Sequence, residues 1–361
     1  MQAIHQLIAG FASGDAISNA AQVLGALFRS WGFPSEIFSA AGCIAPDLRT
    51  TGHDAAQLPA RVRPDDLVIL HLSIGSPVND IFAELPCRRA IIYHNITPDK
   101  YFRGINESMA RDLAWGREQA RRLVGSASVV LADSHYNARE LEAMGYGSVR
   151  TIPLLLDFQR LRAQPDRSRL RQWSSGQTNI LFVGRCAPNK RFEDLLHAFY
   201  YYQKFVEPHS RLLLAGSYVG LEKYKMLLLA LAHNLGLHQV IFSGAVSQAE
   251  LNAHYAAAHL FLCLSEHEGF CIPLLESMVH RVPVLAYGAA AVPETLDGAG
   301  VLIHAKRWDW LAEMMGQPAR PTSFRQAVLA AQYQRLRRYE QRNLAEELRQ
   351  GLAPLLSRQL R

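Results

Sequence analysis

Two series of short apolar runs, each followed by a stretch of helical length, meet at a polar, arginine-rich segment spanning 157–177. In the first series, residues 3–8, 37–38, 67–72, 90–94 and 128–132 are apolar and too short for buried helices. They read as strands covered on both faces. Helices are predicted at about 18–31, 107–124 and 134–144, the last closed by Gly145. In the second series the predicted strands are 179–183, 211–215, 240–242, 260–264, 284–286 and 301–303. Helices are expected from the end of the Lys190 loop to about Phe205, then at 221–235, 248–258 and 273–278, with a helical turn at 293–296. Such β/α alternation predicts parallel sheets flanked by helices, and its repetition predicts two domains. Their expected limits are 1–160 and 178–335, with a linker over 161–177 and a helical tail over 336–361 packing back on the body. A chain of 361 residues is long enough for two cores of ordinary size.

Bulk composition excludes more than it selects. A hydrophobic content of 49% against 19% charged describes a globular chain, not a disordered one. The net charge of +6 suits any anionic partner and singles out none, so a nucleic-acid partner is not expected on that ground. No run of about 18 apolar residues suggests a membrane span, and the first residues read as a strand, not as a secretory leader. Cys43, Cys87, Cys186, Cys263 and Cys271 lack CxxC spacing; neither a disulfide framework nor a zinc site is expected, and a cytoplasmic location is. Neither GxGxxG nor GxxxxGK[ST] follows a predicted strand, which weakens dinucleotide and P-loop readings. With no Asp-x-Asp and no HExxH, no bound metal is expected.

The stretch SEHEGFCIPLLESM, residues 265–278, carries the chemistry. It follows an apolar strand, turns at Gly269 and enters a helix at Pro273. Free backbone N–H groups and the helix dipole converge at such a point and favour an anion. Glu268 and Glu276 would repel an anion alone, but not one whose ligand also carries hydroxyl groups. A ligand with phosphates and many hydroxyls is a nucleotide sugar. Glu276 suits a ribose diol, or merely stabilises its helix; Glu268 suits sugar hydroxyls, with Glu266 a competitor for that role. Gly184 and Arg185 follow another strand, and Lys190 closes their loop. A guanidinium fork and an ammonium together neutralise a diphosphate. His94 ends an apolar strand, where catalytic and structural roles stay equally open; Ser134 and His135 share that geometry. Gly14 and Asp15 lie in the first β/α turn, where glycine permits close approach of a ligand.

These residues resemble a known family. SEHEGFCIPLLE resembles the E-x7-E signature of retaining glycosyltransferases of family 4, VGRCAPNK with FEDLLHAF their phosphate-binding strand–loop–helix, and VPETLDGAGVLI the stretch near their last strand. In the first half, HQLIAGFASGDAISN, YHNITPDKYFRG and ADSHYNARELEAMGY resemble bacterial members that build cell-surface polysaccharides. The resemblance implies an α/β chain of the GT-B fold, two Rossmann-like β/α/β domains facing each other across a cleft. It implies that Arg185 and Lys190 bind the donor diphosphate, Glu276 the ribose and Glu268 the transferred sugar. Backbone amides of Gly269, Phe270 and Cys271 would contact sugar and phosphate, and His94 would stand near the reacting centre. Gly14 and Asp15 would lie by the diphosphate or the acceptor. Cys271 replaces the family's usual glycine.

The expected activity is a metal-independent, retaining transfer of a mannose- or glucose-like hexose from a GDP- or UDP-sugar. The expected acceptor is a growing, polyprenyl-linked glycan, with peripheral contact at the inner membrane face and no cofactor. Other readings stay open: a nucleotide-sugar epimerase or a phosphorylase on the same fold, or a non-catalytic scaffold that binds nucleotide sugar.

Overall fold

A computed structural model describes residues 1–357 and divides the chain into two compact units. The first comprises Met1–Lys100, Glu107–Asp157 and the stretch from Asn343; the second comprises Tyr101–Asn106 and Phe158–Arg342.

The sheet of the first unit has seven strands: β1 (Ile4–Ile8), β2 (Ile37–Ser39), β3 (Gly52–Asp54), β4 (Leu67–Leu72), β5 (Arg88–Tyr93), β6 (Val129–Ala132) and β7 (Arg150–Thr151). Their order is β3-β2-β1-β4-β5-β6-β7, every pairing parallel. Strand β4 is buried at every position, which is why it reads as an apolar run interrupted only by His71. The edge strands β3 and β7 escape the sequence pattern, because Gly-His-Asp and Arg-Thr give no apolar signal and join the sheet through backbone pairing.

One face of this sheet, with Ile4, Leu67, Ile69 and Ala90, packs on Leu24 and Phe28 of the helix Ala16–Ser30. Leu348, Leu352 and Leu355 from the C-terminal stretch complete the same core. Each buried leucine contributes roughly 1.5–3 kcal/mol. Gln2 Nε2 and Arg88 Nη1 both donate to Leu355 O at 2.9 Å and pin that stretch. The expected tail at 336–361 is therefore divided. The helix Ser323–Gln341 belongs to the second unit, where Gln332 bonds Val284 N and Val282 O at 2.8 Å. Of the described residues of the tail only 343–357 join the first; 358–361 lie outside the described residues.

The expected linker at 161–177 is instead an integral part of the second unit. Its helix Arg167–Trp173 packs on the helix Gln248–Ala257: Asp166 N donates to Ala249 O at 2.8 Å, and Arg169 Nε pairs with Glu250 Oε1 at 3.0 Å. Trp173 is buried. The polar side chains that suggest a solvated linker are the ones that fasten this segment down.

The second sheet contains β8 (Thr178–Val183), β9 (Ser210–Ala215), β10 (Val240–Gly244), β11 (Leu260–Cys263), β12 (Val284–Tyr287) and β13 (Val301–Ile303). Its order is β10-β9-β8-β11-β12-β13, again all parallel. Both sheets reverse direction once, between β1 and β4 and between β8 and β11. In open α/β sheets ligands bind beyond the carboxyl ends of strands at such a reversal. Among the described residues no helix is long and apolar enough to cross a membrane.

Candidate functional site

At the reversal of the second sheet, β11 pairs with β8 through Leu260–Ile180 and Phe261–Leu181. The loop after β8 ends in a 3-10 turn, Pro188–Lys190, then passes Arg191 at φ 54° into the helix Phe192–Phe205. The loop after β11 ends at Cys271, with φ 70°, and enters the helix Ile272–Val279 with Pro273 in its first turn. Glu266 N donates to Asn189 O at 3.0 Å, and Asn189 Nδ2 donates to His267 O at 3.1 Å, so one asparagine stitches the two loops together. From the other side Ala291 N donates to Glu268 O at 3.2 Å, and Thr295 Oγ1 donates to Phe270 O. The segment carrying Glu268 is thus fixed on both flanks before any ligand arrives.

This scaffold brings Lys190 Nζ within 2.5 Å of Glu268 Oε2, with the side chains 21% and 7% exposed. A pair so deep is not screened like a surface ion pair. Burial works to lower the Lys190 pKa, but the Glu268 carboxylate outweighs it and holds the ammonium above its ordinary range. Glu266 faces elsewhere: Lys306 Nζ lies 3.1 Å and Arg191 Nε 3.3 Å from its Oε1, and Lys306 also reaches Asp194 at 2.6 Å. That cluster secures the start of the helix Phe192–Phe205. Of the two competing carboxylates, Glu268 is the one at Lys190. Asn189, Arg191, Asp194 and Lys306 escape the sequence reading, since their bonds join loops far apart in the chain, which no local spacing links.

Arg185 and Lys190 part company on either side of β8. Arg185 is exposed and donates through Nη2 to Val219 O at 3.1 Å, in the loop after β9. That loop approaches closely because Gly216 lacks a side chain; a Cβ there would sit 2.0 Å from Gly184 O.

Glu276 lies in the second turn of its helix, which starts at Ile272, and so beyond the first turn, where a carboxylate would stabilise the helix. Tyr255 Oη donates to Glu276 Oε2 at 2.6 Å, and the Tyr255 ring stacks on His280 at 5.0 Å. Burial raises the Glu276 pKa, and the Tyr255 hydrogen bond works against it. One carboxylate oxygen is therefore anchored, while Oε1 takes no hydrogen bond among the described residues. Such a group can accept from a diol. Two cysteines complete the loop. Cys263 ends β11, and its Sγ, that of Cys271 and a carboxylate oxygen of Glu268 lie within 4.8 Å of one another. The hydrogen bond with Cys263, and then burial, push the Cys271 thiol up.

In the first unit, Gly14 takes φ 81°, a left-handed conformation that favours glycine, with open space where its Cβ would lie. Asp15 caps the helix Ala16–Ser30, accepting from Ser18 N and Ser18 Oγ at 2.8 Å. Ser134 likewise caps His135–Ala143 through Asn137 N, and His135 bonds Thr151 Oγ1 at 3.1 Å.

His94 belongs to a buried chain of four side chains crossing the reversal of this sheet. Gln6 Nε2 donates to Ala21 O, which presents Gln6 Oε1 to His71 Nε2 at 3.0 Å. His71 Nε2 must therefore carry a proton, leaving its Nδ1 to accept from His94 Nε2 at 2.8 Å. His94 Nδ1 lies 2.7 Å from Asp133 Oδ2. With His71 neutral, His94 donates to it through Nε2 and faces the Asp133 carboxylate through Nδ1. Burial, and then the neighbouring His94, hold the His71 pKa well below its ordinary value, in keeping with a neutral His71. For His94 to touch a ligand through a ring nitrogen, one of these two bonds must be released.

Residues 166–317 match the model of the family glycosyl transferases group 1. Over 207 residues the chain is 27% identical to a GDP-mannose-dependent alpha-(1-6)-phosphatidylinositol monomannoside mannosyltransferase of Mycobacterium tuberculosis, covering 54% of this chain and 52% of that protein. Over 154 residues it is 28% identical to O-antigen chain mannosyltransferase B of Escherichia coli, covering 43% of this chain and 40% of that protein. The chain thus spans about half the length of the curated relatives it matches, or less. Among solved structures it is similar to Anabaena HepE in complex with UDP and glucose, with a TM-score of 0.77 at 15% identity over 98% of this chain and 100% of that one. A glycosyltransferase from Rickettsia africae matches with a TM-score of 0.73 at 13% identity, over 98% and 99% of the two chains. Residues 166–317 are thereby identified as a glycosyl transferases group 1 segment, within a chain that has the two-unit α/β GT-B fold.

Proposed function

We propose that this chain is a retaining, metal-independent glycosyltransferase that moves a hexosyl group from a nucleoside diphosphate sugar to a hydroxyl of a growing surface glycan. The observation that carries the reading is the convergence of Lys190 and Glu268 at the reversal of the second sheet, with the half-open carboxylate of Glu276 in the helix that follows the Glu268 loop. In this reading Lys190 and Arg185 neutralise the donor diphosphate, Glu276 accepts from the ribose diol, and Glu268 grips the hydroxyls of the transferred sugar. Backbone amides of Gly269, Phe270 and Cys271 supply further donors.

The anomeric C–O bond to phosphate breaks, and its electron pair leaves with the diphosphate. An oxocarbenium-like centre forms, and the acceptor oxygen bonds to it from the face the diphosphate leaves. The acceptor's proton passes to a phosphate oxygen, so no protein nucleophile is required. Charge on the departing diphosphate is met by fixed cations and amides that need no reorganisation. GDP-mannose is the preferred donor, because the relatives matched in sequence are mannosyltransferases, one of them named as GDP-mannose-dependent. Their names likewise favour a lipid-linked or polysaccharide acceptor, and peripheral contact with a membrane belongs to the same proposal.

The test is transfer with GDP-mannose and with UDP-glucose, each with and without EDTA, onto mannosyl and glucosyl oligosaccharides, with the product's anomeric configuration read by NMR. An α-linked product from an α-linked donor, formed in EDTA, is the expected result. An inverted product, a strict metal requirement, or sugar-nucleotide isomerisation without acceptor would overturn it.

A further inference from the structure

The loop that carries Glu268 begins and ends on a cysteine, and the fold folds those ends together. We propose that Cys263, Glu268 and Cys271 form a binding site for a soft divalent cation of the zinc class, and that filling it removes Glu268 from Lys190 and so blocks the sugar end of the donor site. The blocking step rests on the reading of Glu268 given above; the metal site rests on geometry alone.

Three observations support it. The two sulfurs and a Glu268 oxygen lie within 4.8 Å of one another and all three residues are buried; ligands of tetrahedral zinc stand about 3.5–3.8 Å apart, given Zn–S and Zn–O bonds near 2.3 and 2.1 Å. Little movement is needed to close round an ion. Two thiolates with one carboxylate select a soft ion, whereas magnesium and calcium require oxygen shells. Finally, Cys271 holds φ 70°, a left-handed conformation that glycine adopts without strain and cysteine does not. A thiol kept at a strained backbone position points to a use for the sulfur.

Binding releases two thiol protons to solvent as a doubly charged ion enters, so the net charge of the site is unchanged. The diphosphate therefore meets the same overall field. What the donor loses is Glu268, whose oxygen turns from Lys190 to the ion. The site has three protein ligands.

Cadmium reports thiolate ligation directly through its ultraviolet charge-transfer band. Titration of the intact protein is expected to give a saturable band, reversed by a chelator and competed by zinc. The band should survive in Cys43→Ser and Cys186→Ser and disappear in Cys263→Ser and Cys271→Gly. The glycine variant relaxes the backbone at φ 70°, so it folds even if Cys263→Ser does not. No band in the intact protein, or an undiminished band in Cys271→Gly, overturns the site. With zinc bound, affinity for whichever of GDP-mannose and UDP-glucose raises the melting temperature should fall roughly tenfold, while that for the matching nucleoside diphosphate stays constant; Cys271→Gly should abolish the difference. Zinc that binds yet leaves sugar-nucleotide affinity unchanged overturns the coupling. If neither sugar nucleotide binds at all, the glycosyltransferase reading fails, and the cadmium titration still decides the metal site.

Discussion

Lys190 Nζ lies 2.5 Å from Glu268 Oε2, although the two residues leave different strands and stand 78 positions apart. The contact exists because β8 and β11 are neighbours at the reversal of the sheet and because Asn189 ties their loops. Breaking a buried pair by removing one partner costs roughly 3–5 kcal/mol; partial exposure of Lys190 reduces this to about 1–3 kcal/mol. Lys190→Met and Glu268→Gln should each destabilise the fold. The double variant should be less destabilised than the sum, by about 1 kcal/mol or more in urea unfolding. Additive effects would show that the pair is not coupled.

Tyr255 positions Glu276. Tyr255→Phe removes the hydrogen bond to Oε2 and leaves burial, which raises the Glu276 pKa, unopposed by it. Nucleoside diphosphate affinity, measured by calorimetry near neutral pH, should fall about fivefold to tenfold, the equivalent of about 1 kcal/mol. Glu276→Gln should weaken it further. Unchanged affinity in both variants would remove Glu276 from the ribose site.

The chain Gln6–His71–His94–Asp133 makes a spectroscopic prediction. Nitrogen NMR of the imidazoles should show His94 protonated at both Nδ1 and Nε2 and His71 protonated at Nε2 alone. In Asp133→Asn the counter-charge is gone and stability should drop by roughly 3 kcal/mol. A neutral His94 in the unaltered protein would contradict the bond directions.

Stability should also depend on pH through His280. Burial depresses its pKa to about 4 from an ordinary value near 6.5. Above about 6.5 both folded and unfolded states carry it neutral, so its contribution is present in full. As pH falls from about 6.5 toward 4 the unfolded chain takes up a proton the folded one refuses, and up to roughly 3 kcal/mol is lost. His280→Gln should flatten the melting-temperature profile in that window. His71, His254 and His259 are depressed by burial too and leave a residual slope. A profile as steep in the variant would exclude His280 as a cause.

The run at 67–72 coincides with β4 and that at 211–215 falls within β9, because a strand inside a parallel sheet writes its burial into the sequence. Glu268 and Lys190 are also legible, since each follows a predicted strand and neither has an apolar reason to be there. Asn189, Lys306 and the meeting of Cys263 with Cys271 are not. Their contacts join loops through the sheet order, which no local pattern encodes. The capping role of Asp15, whose Oδ2 accepts from Ser18 N and Ser18 Oγ, also goes unread in the sequence. Asn343 marks a further limit, because the helix it caps packs its leucines on a core built from the opposite end of the chain.

The central claim is that the second unit holds a nucleoside diphosphate sugar without a metal. Its most direct test is thermal shift with GDP, UDP, ADP and dTDP, with and without EDTA, on the intact protein and on Lys190→Gln. A ligand that binds only the folded state raises the melting temperature by mass action. One nucleotide, GDP first, should stand out, its shift unchanged by EDTA and lost in Lys190→Gln. No shift with any nucleotide, or a shift that survives in Lys190→Gln, would contradict the account.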